Sequence, residues 1–348
     1  MERDFAPGPD EVRAVLRDFG IAGEPEDIRE LLRYNYRRHD PGSGEIRLIL
    51  RVGLRGRAPV VLKLVNEREH PHELIEAQAA FAELLRQRGV LTPRHYACAE
   101  GYCAERRLDG ARVDVTAEDF CEGELKRVGR DNIGGIGALL ARMHSISEQC
   151  ECHVRGRVLF DVLTRNDLTG FDRISGLAPR LHGPALARFE QVRALHAARR
   201  ARLEVLRARP RYAVQGDMSD CNMFVSAGGG LGVFDFNNCG DNCLYTDAVM
   251  QGVFVARLMD YDAPITFGQS RELFCDFMRG YAGVRPLSAE DRALLPDMWA
   301  VINGLWLADT VFGEDSLMSA VEAGDMARAC ARLDAMHERL SEQLELDV

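Results

Sequence analysis

The stretch QGDMSDCNMFVSAGGGLGVFDFNNCGDNCLYTD, residues 215–247, decides the fold of this chain. Two short apolar runs flank a Ser-Ala-Gly-Gly-Gly turn, a pattern that predicts a β-hairpin. Polar residues stand at the ends of these runs, where an apolar strand does not need them. Asp217 lies five residues before Asn222, which begins the first run, and Asp235 lies at the end of the second. Because a hairpin folds its strands back on each other, we expect the three side chains to converge at one end.

Phosphoryl transfer requires this set of polar groups. A carboxylate must orient the attacking hydroxyl and accept its proton, and oxygen ligands must hold the magnesium ions that bridge the nucleotide phosphates. In kinase-like folds a base Asp precedes a metal-binding Asn, and a second metal-binding Asp follows on the next hairpin strand. In that order, Asp217 is the predicted base, and Asn222 and Asp235 are the predicted magnesium ligands. The alternative is a surface hairpin with ordinary turn carboxylates.

The stretch resembles the catalytic loop of the aminoglycoside phosphotransferase and choline kinase superfamily. Its members read H-G-D, four residues, N, and then a hairpin ending in D-F or D-W; Asp241 and Asp247 match the later acids. Gln215 departs from the pattern, because it stands where the family has a loop-shaping His and it cannot carry charge. The resemblance implies an α+β, bilobal protein-kinase-like fold. A small N-terminal antiparallel sheet plus helix would form a nucleotide-binding lobe in residues 1–108, and a larger, mostly helical catalytic and acceptor lobe would occupy residues 109–348.

Lys63 is the most informative residue of the predicted N-terminal lobe. It lies within the apolar strand VVLKLV, residues 60–65, where a lysine costs free energy unless its charge is paired. Kinase folds place a lysine there to hold the nucleotide phosphates, and a glutamate of the next helix steadies it. The following helical pattern carries Glu73 and Glu76 on one face, so either could pair with Lys63, and we favour Glu76. The alternative is that Lys63 lies on the solvent face of an edge strand.

Two further nucleotide-binding elements are implied by the resemblance. The turn HDPGSGE, residues 39–45, fits a phosphate-covering loop, since glycines let backbone N–H groups approach an anion, and it fits a plain hairpin turn equally. The family's adenine-binding linker corresponds to residues 105–108. Nucleotide contacts are therefore implied at Glu105, Arg106 and Leu108, through main-chain groups.

The rest of the chain reads as helices. Residues 133–146 resemble the family's L-A-x-x-H helix, and we expect its His144 to be a buried structural residue because the helix is strongly apolar. In family members the C-terminal helices form the wall of the acceptor site, which implies acceptor contacts at Trp306 and Asp309. A core tryptophan and a surface acid explain these two residues equally well.

Composition limits the class of protein. The 348 residues are 46% hydrophobic and 28% charged, which is ordinary for a soluble globular chain of one large or two ordinary domains. The net charge of −10 argues against general nucleic-acid binding and is compatible with a cationic acceptor. No apolar run approaches the roughly 18–20 residues that span a bilayer, and no signal peptide is evident. We expect a cytoplasmic monomer or homodimer without a membrane or nucleic-acid partner.

The ten cysteines are scattered along the chain, and we expect them to be reduced thiols. The one close cluster is Cys150, Cys152 and His153. No fourth zinc ligand follows at a finger-like spacing, so a zinc site is the weaker interpretation.

The predicted function is a small-molecule kinase that uses Mg²⁺ and ATP or GTP. It would transfer the γ-phosphate to a hydroxyl of an aminoglycoside-like or other antibiotic acceptor. One alternative is a metabolic kinase for an amino alcohol or sugar, such as a choline-, homoserine- or methylthioribose-like acceptor, because a shared fold does not define the substrate. A second is a catalytically degenerate kinase fold that binds nucleotide or a partner. Gln215 and the poor glycine loop favour that reading, whereas the intact set Lys63, Asp217, Asn222 and Asp235 argues against it.

Overall fold

The structure is a computed structural model that describes residues 5–34, 44–125, 127–158, 160–163, 165–166, 170–257 and 267–346. It divides into two compact units, each made of several stretches of chain. The first comprises Met1–Lys126, Ile146–Arg157 and Asp220–Asp241. The second comprises Arg127–Ser145, Val158–Ser219 and Asn242–Val348.

The helices and strands follow one another in chain order. The first part of the chain forms α1 (Pro9–Asp18), β1 (Pro25–Tyr34), β2 (Ile46–Leu54), β3 (Arg57–Asn66), α2 (His72–Gln87), β4 (Cys103–Leu108), β5 (Ala111–Asp119) and α3 (Ile133–Gln149). The middle part forms β6 (Phe160–Asp161), β7 (Arg165–Asn166), α4 (Phe171–Ile174), α5 (Gly183–Arg202), β8 (Tyr212–Val214), β9 (Met223–Val225), β10 (Leu231–Val233) and β11 (Gly240–Asn242). The last part forms α6 (Leu244–Arg257), α7 (Phe267–Val284), α8 (Ala289–Gly304), α9 (Leu317–Glu322) and α10 (Met326–Ser341).

The first unit is built on an antiparallel sheet with the spatial order β1-β2-β3-β5-β4. Every second residue of β2 is buried, as expected for a strand with one face on a core. Leu48, Leu50 and Val52 of β2 share that core with Val15 and Leu16 of α1. The predicted N-terminal sheet and the helix after Lys63 are confirmed. Residues 39–43 of the glycine-containing turn lie outside the described residues.

The sheet extends beyond the predicted lobe boundary. β4 and β5 are neighbouring strands joined by the turn Asp109–Gly110, in which both residues have positive φ angles, 44° and 80°. Positive φ at both central residues is typical of the tight turn that joins two twisted antiparallel strands. A boundary between residues 108 and 109 therefore falls inside a hairpin, and the first stretch of the first unit continues to residue 126 instead.

The second unit is mostly helical, as predicted. Its core includes Phe189 and Val192 of α5, Leu333 and Leu340 of α10, and Leu317 of α9. Helix α5 begins at Gly183, ends at Arg202 and is followed by a 3₁₀ helix, Leu203–Ala208.

Helices α3 and α7 approach each other closely through glycines. A Cβ atom added at Gly137 would lie 2.1 Å from the Phe277 carbonyl oxygen, and one added at Gly280 would lie 1.9 Å from the Gly134 carbonyl oxygen. Both distances are far below van der Waals contact, so these positions require glycine. None of the helices described is both long and apolar enough to cross a membrane.

Candidate active site

The hairpin formed by β9 and β10 brings the two predicted metal ligands to one end. Met223 lies opposite Val233, and one residue further the Phe234 N–H donates to the Asn222 carbonyl oxygen at 2.9 Å. Asp235 follows at once and has a φ of 58°, which is uncommon for a residue with a side chain. Such strain is found mainly where the surrounding structure demands it, as at ligand sites. The predicted hairpin is confirmed, and its end carries a buried amide and a carboxylate.

Lys63 lies on β3, between β2 and β5, and not on an edge strand. Its Nζ atom is 3.2 Å from Glu118 Oε1 and 3.4 Å from Asp235 Oδ1, and its side chain is 12% exposed. Burial alone would lower the pKa of the ammonium group, but the charges of Asp235 and Glu118 outweigh it and raise the pKa. The solvent-facing alternative for Lys63 is therefore wrong, because its charge is buried and paired.

Glu118, on β5, is the carboxylate that the sequence reasoning missed. Its side chain is 6% exposed, and its Oε2 atom is 2.9 Å from Nε2 of His95. Burial alone would raise the pKa of Glu118, but Lys63 and His95 outweigh this effect and lower it to about 2. In the observed register Thr116 lies opposite Lys63, so Glu118, two residues further along β5, lies on the same face of the sheet as Lys63.

Glu76 does not pair with Lys63, so that prediction is wrong. Its Oε2 atom accepts hydrogen bonds from the N–H groups of Tyr102 and Cys103, each at 2.6 Å, where β4 begins. Among the described residues, the ion pairs of Lys63 are those with Glu118 and Asp235, and neither Glu73 nor Glu76 takes part. The carboxylate of Glu76 is instead used to attach β4 to α2.

Glu105, Arg106 and Leu108 lie within β4 and not in a linker. All three are paired with residues of β5, and the Arg106 guanidinium donates to Asp18 at 2.6 Å. Residues 105–108 form an edge strand of the sheet, and nucleotide contacts at these residues stay a prediction. The described segment that follows β5 comprises residues 120–125.

The loop that carries Asp217 belongs to the second unit, and Gln215 shapes it. Gln215 is buried, and its Oε1 atom accepts the Asp217 N–H at 2.6 Å. Gly216 between them has a φ of 83°, a conformation that favours glycine. The next N–H, of Met218, donates to Gln251 Oε1 at 2.9 Å. A neutral amide thus performs the loop-shaping role expected at position 215, and no charge is needed for it.

A chain of buried polar side chains supports this loop. Gln251 donates to Asp247 Oδ1 at 3.3 Å, and Asp247 Oδ2 is 3.0 Å from His144 Nε2. The other ring nitrogen of His144 is 2.9 Å from the Tyr281 hydroxyl. The structural role predicted for His144 is confirmed, since it joins α3 to α6 and α7. Asp247 has the same supporting function.

A separate cluster on the first unit contains His72, Cys103 and Asp114. His72 Nδ1 is 2.7 Å from Asp114 Oδ1 and 3.6 Å from Cys103 Sγ. The hydrogen bond to Asp114 raises the pKa of His72, and burial raises the pKa of the Cys103 thiol. In this structure the three side chains form a hydrogen-bonded group, and their ligand atoms lie within 4.8 Å of one another, close enough to hold a metal ion.

Trp306 and Asp309, the predicted acceptor contacts, lie in the second unit beside two arginines. Asp309 Oδ2 is 3.1 Å from the Arg257 guanidinium and also contacts Arg339. The Arg257 guanidinium lies 5.1 Å from the centre of the Trp306 ring, and burial lowers its pKa to about 10 despite the charge of Asp309. Two guanidinium groups share one carboxylate, so this group is positively charged and does not form an acidic wall.

Comparison with known proteins defines the class. A model of the "Phosphotransferase enzyme family", the family of aminoglycoside phosphotransferases, matches residues 32–300. A search of curated proteins found no match. The match covers well over half of the chain, which therefore belongs to this family of phosphotransferases that act on hydroxyl groups. The predicted membership of the aminoglycoside phosphotransferase and choline kinase superfamily is confirmed.

Solved structures agree in fold. A microcompartment-associated aminopropanol kinase has a TM-score of 0.58 and 17% identity, over 95% of this chain and 99% of that one. An amicoumacin kinase solved with AMP-PNP and Ca²⁺ has a TM-score of 0.55 and 13% identity, over 96% and 95%. An aminoglycoside phosphotransferase from Alicyclobacillus acidocaldarius has a TM-score of 0.52 and 12% identity, over 98% of both chains. The predicted kinase-like α+β fold is confirmed, and the chain is a small-molecule kinase.

Proposed function

We propose that this chain transfers the γ-phosphoryl group of a nucleoside triphosphate to a hydroxyl of a small, amine-bearing acceptor. The observation that carries the proposal is the position of the buried Lys63 ammonium, 3.4 Å from Asp235 at the end of the hairpin that also carries Asn222. Family membership supplies the reaction class. The nucleotide analogue bound to the amicoumacin kinase supports a nucleotide as the donor.

The side chains of the first unit suit the donor nucleotide. Asn222 and Asp235 offer amide and carboxylate oxygens, the ligands that Mg²⁺ prefers to nitrogen or sulfur. Bound there, Mg²⁺ would neutralise charge on the nucleotide phosphates. Lys63 binds phosphate oxygens through an ammonium group whose raised pKa keeps it charged.

Asp217 orients the acceptor hydroxyl and takes its proton late in the reaction. The transition state of phosphoryl transfer is loose, so positioning and charge neutralisation supply most of the rate, and Asp217 does not need to be a strong base. The hydrogen bond from its own N–H to Gln215 holds the backbone at this position, which limits the conformations that the carboxylate can adopt.

The acceptor class is an amine-bearing alcohol. Two of the similar structures are kinases whose names specify such acceptors, an aminopropanol and an aminoglycoside. The net charge of −10 favours a cationic small molecule over an anionic one. Trp306 and Asp309 are the proposed acceptor contacts. Because two arginines share Asp309, we expect it to order them and not to bind an ammonium group directly.

A thermal shift assay tests the donor half of this proposal. Wild type and Asp235→Ala are heated with Mg²⁺ plus ATP and, separately, Mg²⁺ plus GTP. Ligand at about a hundredfold over its dissociation constant adds about 2.7 kcal/mol to the free energy of unfolding, which is a rise of a few degrees for a chain of this size. The rise should require Mg²⁺ and be lost in Asp235→Ala. The absence of a rise with either nucleotide would contradict the proposal and favour a degenerate kinase fold that binds a partner instead of a nucleotide.

An acceptor panel tests the other half. The nucleotide that gave the thermal shift is incubated with the protein and 1-amino-2-propanol, choline, homoserine, methylthioribose or individual aminoglycosides, and nucleoside diphosphate release is measured. We expect one amine-bearing alcohol to stimulate release well above the acceptor-free rate. Stimulation only by acceptors without an amine would overturn the acceptor class while leaving the reaction type intact.

A further inference from the structure

We infer that Glu118 and His95 are the residues that position Lys63 for nucleotide binding, in place of a glutamate from helix α2. This inference rests on the proposed function, because it assigns a role within the same nucleotide site. Both are positioning residues, since they act through the Lys63 ammonium group and not on the nucleotide itself.

Glu118 is held from two sides. Its Oε1 atom is 3.2 Å from Lys63 Nζ, and its Oε2 atom is 2.9 Å from His95 Nε2. The side chain lies on β5, an inner strand between β3 and β4, and is almost completely buried. A buried carboxylate whose two oxygens each have a partner cannot rotate without losing one of them, and an unpaired buried charge is costly. Glu118 therefore presents one oxygen to Lys63 in a defined place.

His95 is fixed just as firmly. Its Nε2 faces the Glu118 carboxylate, and its Nδ1 is 3.2 Å from the Pro93 carbonyl oxygen, so both ring nitrogens face hydrogen-bond acceptors. Its main-chain N–H donates to Glu83 Oε2 at 3.2 Å, and Glu83 belongs to α2. Helix α2 thus contacts the lysine site through Glu83, His95 and Glu118, instead of through a direct ion pair.

The two carboxylates beside Lys63, those of Asp235 and Glu118, have different proposed roles. Asp235 ends the hairpin that carries the proposed metal ligands, whereas Glu118 belongs to the sheet. If a neutral residue replaced Glu118, Asp235 would be the only partner left to Lys63 among the described acids. Its ammonium group would then compete with Mg²⁺ for that carboxylate. Loss of Glu118 should therefore weaken nucleotide binding and also raise the Mg²⁺ concentration that binding requires.

The experiment measures the dissociation constant of AMP-PNP by isothermal titration calorimetry, at saturating and at limiting Mg²⁺. It compares wild type with Glu118→Gln, His95→Leu, His95→Gln and, as the matched control, Glu76→Gln. We expect Glu118→Gln to weaken binding at least tenfold and more so at limiting Mg²⁺. His95→Leu should weaken it several-fold, His95→Gln should recover most of that loss because its amide can still donate to Glu118, and Glu76→Gln should stay within twofold of wild type.

The outcomes separate this inference from the proposed function. Failure of wild type to bind AMP-PNP with Mg²⁺ would overturn both. If wild type binds AMP-PNP and Glu118→Gln binds it with the same affinity, the inference alone is overturned. The same holds if Glu76→Gln weakens binding more than Glu118→Gln does. The double variant Glu118→Gln/His95→Leu should be no weaker than Glu118→Gln, since His95 acts through Glu118; additive losses would contradict its role.

A second variant covers the case in which Glu118→Gln does not fold. Glu118→Asp keeps the buried charge and withdraws it from Lys63 by one methylene group. We expect it to fold, as judged by circular dichroism, and to bind AMP-PNP more weakly than wild type at limiting Mg²⁺. Unchanged affinity in this variant would overturn the positioning role.

Discussion

Asp217 is the residue on which the proposed chemistry depends most directly. Replacement by Asn keeps the size of the side chain and the backbone hydrogen bond to Gln215, and it removes the acceptor of the hydroxyl proton. We expect turnover to fall by about a thousandfold, within the range typical of a general base, while nucleotide affinity stays within about twofold. Turnover and AMP-PNP binding are measured on the same preparation. Asp220→Asn, three residues away, is the control and should remain active; normal turnover by Asp217→Asn would disprove the base assignment.

His196, on α5, illustrates a pH effect confined to one residue. Burial, and secondarily the charge of Arg200, lower its pKa to about 4, and its ring stacks on Phe171 at 4.1 Å between centroids. Protonation of this imidazole is unfavourable in the folded state. The neutral ring therefore makes its full contribution to the free energy of unfolding above pH 6.5. This contribution is lost as the pH falls from 6.5 toward 4, and the total amounts to about 3 kcal/mol.

Replacing His196 by Phe should remove this pH dependence. The ring contact with Phe171 is retained, but no group remains to be protonated. Urea unfolding at pH 7.5 and at pH 4.5 should show that His196→Phe loses less stability on acidification than wild type does. His182→Gln, at an exposed histidine just before the same helix, is the control and should behave like wild type. If acidification lowered the free energy of unfolding of His196→Phe as much as that of wild type, groups other than His196 would be responsible for the loss.

At the scale of elements, the contact between α3 and α7 depends on the absence of side chains. A Cβ at Gly137 would meet the Phe277 carbonyl oxygen, a backbone atom that cannot move aside without shifting the helix. We expect Gly137→Ala to lower the free energy of unfolding by about 1–3 kcal/mol. Gly135, two residues away on α3, is exposed and has no neighbouring atom within 4 Å of an added Cβ. Gly135→Ala should therefore stabilise the protein by up to about 1 kcal/mol through helix propensity.

Urea denaturation of the two alanine variants measures this difference. Relative to wild type, the free energy of unfolding should fall in Gly137→Ala and rise in Gly135→Ala. Similar values for Gly137→Ala and Gly135→Ala would mean that the two helices can separate slightly at little cost.

At the scale of the whole molecule, a buried guanidinium of α5 binds the main chain at the end of α10. Arg199, which is 3% exposed, bonds to Asp297 Oδ1 at 2.8 Å and to the carbonyl oxygens of Leu340 and Glu342 at 3.0 and 2.9 Å. Arg202 also bonds to Asp297, so Arg199→Met would leave that carboxylate with one partner and would leave the two carbonyl oxygens without their donor. Since each buried polar group left unsatisfied costs about 1–3 kcal/mol, we expect Arg199→Met to cost about 2–4 kcal/mol of unfolding free energy.

The matched control is Arg193→Met on the same helix. Arg193 pairs with Glu190 on the surface, where an ion pair contributes at most about 1 kcal/mol. Both variants are compared with wild type by urea unfolding. A cost for Arg199→Met no larger than that for Arg193→Met would show that the end of α10 does not need this contact.

The sequence by itself determined the class of this protein and the order of its functional segments. A lysine in an apolar strand and the spacing of Asp217, Asn222 and Asp235 are local features, and the hairpin between the last two is encoded by adjacent residues. Local patterns survive folding because neighbours in sequence remain neighbours in space. For the same reason the helices and most strands were predictable from periodicity.

Only the tertiary structure decided which charged side chains form ion pairs. The register of β3 against β5 places Glu118, and not Glu76, beside Lys63, and a one-residue slip would have reversed its face. Asp309 is neutralised by arginines that lie 52 and 30 residues away along the chain. Such partners are selected by strand register and helix packing between distant segments, and their identity depends on distances of a few ångströms that periodicity does not specify.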